Sequence, residues 1–169
     1  ALDLTQQGVE VQGLVHREVT AQRARSRGLS SLVSTDPSCL HDCDLVILAL
    51  PLESLLTPAE SLLKALPEKA VVTDVGSVKA KVLAVWRDLH PRFVGSHPMA
   101  GTAQAGVDAG LTGLFRGRPW VSTPESTTDP SALEVIHQLA DRLGSHWLTA
   151  DAARHDQAVA LISHLPVIV

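Results

Sequence analysis

No apolar run in this sequence reaches the ~18 residues that span a bilayer as a helix, so no membrane contact is expected. Basic charge is scarce too: 14 Lys and Arg stand against 18 Asp and Glu, a net charge of -4 with His neutral. That balance lacks the footprint of a nucleic-acid binder. The first residues show no basic stretch followed by an apolar core, so they do not read as a secretory signal. Cysteine is limited to Cys39 and Cys43, in "CLHDC". With His41 as the only histidine nearby, the pair falls short of a zinc site. It reads instead as reduced thiols in a cytoplasmic protein, and no metal is expected.

What the chain does have is apolar content, 45% of 169 residues, enough for one full core or for a domain and part of another. Short apolar runs alternate with amphipathic stretches. Val9–Val15, Asp44–Leu50, Ala70–Ser77 and the short "RFVGS" read as strands. "REVTAQRARSRG", "LESLLTPAESLLKALP" and "VKAKVLAVWRDL" read as the helices between them, the second broken at Pro58. "DLVILAL" is continuously apolar, which suits a parallel strand covered on both faces. Further on, "RPWVSTP" and "SHWLTA" read as strands around a helix with Asp129 as N-cap, Pro130 as first residue and Gly144 as stop. This alternation predicts an α/β fold with a mostly parallel sheet and helices on both faces. From about Asp151 the chain turns helical. The opening "ALDLTQQG" reads as the second half of a helix ending at Gly8, and the apolar "LPVIV" ends without a cap, so a piece of a longer protein is expected.

In such sheets ligands sit beyond the carboxyl ends of the strands. Leu50-Pro51, Gly76-Ser77 and Ser96-His97 each fall just past a strand and are candidates to line one cleft. His97 reads as an imidazole on a turn punctuated by Gly95 and Gly101. Taken alone, Ser77 reads equally as the N-cap of the helix that follows it. His16, His41, His90, His137 and His146 sit in surface-like contexts.

"TDVGSVK" (73–79), "GSHPMAGT" (95–102) and "HDQAVALISHLPV" (155–167), in that order, closely resemble the prephenate and arogenate dehydrogenase family of tyrosine biosynthesis. The resemblance runs over the whole chain. It implies a Rossmann-type dinucleotide-binding domain over residues 1–150, without its first strand and Gly-rich turn. Residues 151–169 would then begin an all-helical domain through which the protein forms a homodimer. The family oxidises a cyclohexadienol: hydride leaves ring C4 for the nicotinamide, the C4 hydroxyl loses its proton, and carbon dioxide departs as the ring aromatises. By the resemblance His97 is the base, suited by an imidazole that titrates near neutral pH, and Ser77 orients the same hydroxyl. It also implies Leu50, Pro51, Ser77, Pro98 and Met99 as cofactor contacts and Thr102 and His164 on the substrate side. His155 is a further substrate-side candidate, and helix packing is the alternative for both His155 and His164.

In a dinucleotide fold an acid at the end of the second strand holds the ribose 2′-hydroxyl of NAD, and an arginine there accommodates the 2′-phosphate of NADP. Here that strand ends in His16 and Arg17, and Glu18 reads as the start of the helix, so NADP is expected over NAD. Ala103 and Val167 stand where prephenate-using members commonly carry an acid and a histidine, which points to arogenate. The alternatives are a prephenate dehydrogenase and a truncated cofactor-binding or dimerisation module. A β-hydroxyacid dehydrogenase would place a catalytic lysine on a later helix, and that pattern is missing from the sequence.

Overall fold

The computed structural model describes residues 1–30, 32–101 and 106–164, with side chains to residue 162. Thr102, Ala103, Val167 and the side chain of His164 lie outside the described residues.

The chain opens with α1 (Leu2–Gln6), stopped at Gly8, whose φ of 75° is left-handed. β1 (Gln12–Leu14) follows, then α2 (Glu18–Ser26) and β2 (Leu32–Ser34), and β1 pairs parallel with β2. β1 is shorter than the expected Val9–Val15 strand. β2 was not expected at all: three residues in a serine-rich stretch show no periodicity. It forms because Val33 packs on Ala21 and Ala24 of α2.

β3 (Leu45–Leu48), β4 (Val71–Asp74) and β5 (Phe93–Val94) make a second parallel sheet in that order. The connection between β3 and β4 is broken at Pro58, as expected, into α3 (Leu52–Leu56) and α4 (Glu60–Ala65). The helix before β5 is α5 (Ala80–Trp86). Alternation along β4 and β5 sends neighbours into opposite cores. Val72 and Phe93 pack with Val82, Leu83 and Trp86, and Val71 and Val94 pack with Ala132, Ile136 and Leu139 of a later helix. Each fully buried aliphatic or aromatic side chain of this kind is worth about 1.5–3 kcal/mol. All four residues of β4 are buried, Thr73 and Asp74 included, whereas β3, the continuously apolar run expected to be covered on both faces, leaves Ile47 exposed.

The chain then changes sheets within one residue. β6 (Ser96–Pro98) begins two residues after β5 ends and pairs antiparallel with β7 (Pro119–Ser122), which pairs parallel with β8 (His146–Thr149). Gly95 is the hinge. A Cβ there would lie 2.8 Å from Thr123 Oγ1, so the close approach of the two chains requires glycine. α6 (Pro130–Arg142) has the expected start: the Asp129 side chain accepts from Ser131 N, and Pro130 is the first residue. α7 (Ala152–Val159) continues as a π-helical turn over Ala160–His164.

Candidate functional site

The buried end of β4 organises the site. Asp74 is 0% exposed and Lys79 1% exposed. The Lys79 ammonium donates to Asp74 Oδ2 and to Ser96 O, the latter at 2.7 Å. Asp74 also accepts Gly76 N–H at 2.9 Å and Ser96 N–H at 3.2 Å. Thr73 Oγ1 donates to Val94 O at 2.7 Å, and Ser96 Oγ donates to Asp74 O at 2.9 Å. One carboxylate therefore holds both Gly76 and Ser96. The residues that follow them, Ser77 and His97, are brought to the same edge of the fold. Burial pushes the Asp74 carboxyl up and the Lys79 ammonium down, and each charge opposes the shift of the other.

His97 is not on a turn. It is the middle residue of β6, opposite Val121, half-buried, with Pro98 buried beside it and Met99 N–H bonded to Pro119 O at 2.8 Å. A strand ladder fixes its backbone more tightly than a loop would. Its Nδ1 lies 2.9 Å from His155 Nε2, and His155 Nδ1 lies 2.9 Å from Asp156 Oδ1. The two imidazoles meet edge to face, with ring centroids 5.1 Å apart and an 80° interplanar angle. His155 is 4% exposed with both ring nitrogens engaged, which favours packing over contact with substrate.

Ser77 is not a helix cap. α5 starts at Ala80, and its first N–H groups, those of Lys79 and Ala80, donate to Asp156 Oδ1 and Oδ2 at 2.7 and 3.0 Å. The cap comes from α7, leaving Ser77 exposed on the loop between β4 and α5. Burial opposes ionisation of Asp156, but these two N–H groups and His155 outweigh it and hold the carboxyl below its ordinary value. Asp74, Lys79 and Asp156 were not among the candidate site residues. Asp74 and Lys79 lie within a motif singled out there, and Asp156 follows a singled-out histidine, but contacts across 77 residues leave no local signal.

Leu50 is half-buried against the core and exposed Pro51 caps α3, both just beyond β3. His16 and Arg17 are exposed after β1, and Arg17 is the N-cap of α2. Glu18 is the first residue of α2 and pairs with Arg25, so its carboxylate is turned along the helix. An exposed imidazole and guanidinium beside the first turn of a helix fit a phosphate. His90 is buried rather than surface-like: its Nε2 contacts Pro67 O at 3.1 Å, and its Nδ1 accepts from Arg92 N–H at 3.3 Å.

The chain has relatives among known proteins. Residues 1–149 match the family model described as prephenate dehydrogenase, nucleotide-binding domain. The cyclohexadienyl dehydrogenase of Zymomonas mobilis is 34% identical over 155 residues, covering 90% of this chain and 53% of that protein. The prephenate dehydrogenase of Bacillus subtilis is 36% identical over 128 residues, 73% of this chain and 34% of that one. The chain thus spans about half the length, or less, of these curated relatives. Among solved structures, the arogenate dehydrogenase of Synechocystis superposes with a TM-score of 0.91 at 37% identity, over 99% of this chain and 60% of that one. The prephenate dehydrogenase of Aquifex aeolicus, in complex with hydroxyphenyl propionate and NAD+, superposes with a TM-score of 0.89 at 30% identity, over 97% and 59%.

Proposed function

The chain belongs to the prephenate dehydrogenase family through its Rossmann-like nucleotide-binding domain, and from that premise we propose that the protein oxidises and decarboxylates arogenate to tyrosine with NADP as hydride acceptor. The observation that supports the reading is the hold of one carboxylate, Asp74, on Gly76 and Ser96, the residues directly before Ser77 and His97. Bound nicotinamide supplies the acceptor for hydride from ring C4. His97 takes the proton of the C4 hydroxyl, and Ser77 donates a hydrogen bond that orients it. Leu50, Pro51, Ser77, Pro98 and Met99 contact the cofactor, and Thr102 and His164 complete the substrate side. A base positioned in this way contributes about 10²–10⁴ in rate.

His16 and Arg17 support NADP, because they stand exposed at the end of β1 while Glu18 is drawn to Arg25. Ala103 and Val167 support arogenate, as does the likeness to the Synechocystis enzyme. Oxidation of prephenate to 4-hydroxyphenylpyruvate is the second reading, favoured by the likeness to the Bacillus and Aquifex proteins. Residues 1–150 form the cofactor domain in this proposal, and 151–169 begin a helical domain that pairs two copies of a cytoplasmic enzyme.

The test is turnover by the full-length protein with arogenate and prephenate, each with NAD and NADP. Arogenate with NADP should give the highest kcat/KM, and His97→Asn should lower kcat by about 10²-fold or more. A His97→Asn variant with near-normal turnover would remove the assignment of the base, and a preference for prephenate would replace the substrate.

A further inference from the structure

His155 and Asp156 stand in series behind His97 and bear on which of its ring nitrogens carries the proton. A carboxylate only accepts hydrogen bonds, so the contact between Asp156 Oδ1 and His155 Nδ1 places a proton on that nitrogen. With a single proton on its ring, His155 presents a lone pair at Nε2. The 2.9 Å contact to His97 Nδ1 then requires His97 Nδ1 to be the donor. In that tautomer the lone pair of the His97 ring lies on Nε2. Asp156 is itself immobilised by the N–H groups of Lys79 and Ala80, so the tautomer is dictated from α7 and the first turn of α5 through two rings in series.

We infer that His155 and Asp156 are positioning residues forming a two-imidazole proton relay behind His97, an inference that rests on the reading of His97 as the base. When the substrate O–H bond breaks, its electron pair stays on oxygen and the proton goes to His97 Nε2. The imidazolium so formed passes its Nδ1 proton to His155 Nε2. His97 ends neutral, protonated at Nε2, and the positive charge rests on His155 against the Asp156 carboxylate. The buried location of His155 shields this pair from water and strengthens it. Among the described residues, Asp74 at the end of β4 and Lys79 at the start of α5 pair with each other, and Arg154, directly before His155, is exposed.

The inference is tested on the full-length protein labelled with ¹⁵N-histidine, with the His97 signals assigned by their loss in His97→Asn. Long-range ¹⁵N–¹H spectra should show His97 protonated at Nδ1 when neutral. His155→Phe should release that preference and lower kcat roughly 10- to 100-fold, a fraction of what the whole base contributes, with the NADP KM unchanged. The acid limb of the kcat/KM profile should also move to lower pH, because the imidazolium loses its acceptor. His155→Gln keeps a carbonyl acceptor without a relay nitrogen, so it should retain the tautomer and recover only part of the rate. Wild-type His97 protonated at Nε2 would overturn the inference, as would a His155→Phe variant with the tautomer, pH profile and kcat of wild type. If His97 shows the Nδ1 proton while neither arogenate nor prephenate is turned over, the proposed function fails and the tautomer assignment stands.

Discussion

Replacing Lys79 with methionine tests the central tie of the site. The substitution keeps most of the side-chain volume but deletes an ammonium that is fully buried and donates to Asp74 and Ser96 O. Asp74 keeps its bonds from Gly76 and Ser96 N–H but loses its counter-charge in a water-free position. Breaking a buried pair from one side costs about 3–5 kcal/mol. For a chain of this size that lowers Tm by roughly 6–20 °C, at about 2–4 °C per kcal/mol. The sign of the pH dependence follows. Burial already raises the Asp74 carboxyl above its unfolded value, and loss of the ammonium raises it further. A carboxyl raised in the fold favours folding in its protonated state, so the stability deficit of Lys79→Met is largest at neutral pH and shrinks as the pH falls to about 5. Adding Asp74→Asn should recover part of the loss, because no charge then remains buried. The assay is thermal unfolding followed by circular dichroism for wild type, both single variants and the double variant. A Lys79→Met protein that melts within about 2 °C of wild type at neutral pH, or whose deficit grows on acidification, would refute the reasoning.

Gly95→Ala should destabilise the fold by about 1–3 kcal/mol, because the new methyl group meets Thr123 Oγ1, and Thr123→Ala in the same chain should relieve much of the loss; denaturant unfolding of the two variants checks it. Asp156 has a depressed carboxyl, so its contribution to stability is full above its unfolded value of about 3.9 and is lost as the pH falls through the lower folded value. The difference in Tm between wild type and Asp156→Asn should therefore narrow below about pH 4. Arg17→Ala should raise the NADP KM by roughly 10- to 100-fold, the equivalent of an arginine–phosphate bond of about 1.5–3 kcal/mol, with the NAD KM nearly unchanged. Equal loss of both cofactors would remove Arg17 as the discriminating residue.

The parts of this structure that were legible in the sequence are those set by local chemistry. The break at Pro58, the Asp129–Pro130 start of α6 and the apolar strands β3 and β4 follow from neighbouring residues alone. The motif around His97 was legible as a mark of the family, but its backbone was misread. Gly95 and Pro98 look like turn residues, whereas the glycine serves a close approach to Thr123 and the proline is buried within β6. β2 is too short to show a period and exists through its contact with α2. The cap on α5 was beyond reach, since Ser77 is the nearest capping residue in sequence and Asp156 arrives from a helix late in the chain.

The carboxylate of Asp156 grips the start of α5 with both oxygens and, through His155, the ring of His97. The loop bearing Ser77 and the strand bearing His97 thus share a second fastener beside Asp74, and this one belongs to α7. Undocking of α7 frees the start of α5 and the ring of His97 together, while Asp74 still ties Gly76 to Ser96. Amide hydrogen exchange at Lys79 and Ala80 then serves as a clock for the opening of the whole centre, because their N–H groups are protected only while α7 is seated.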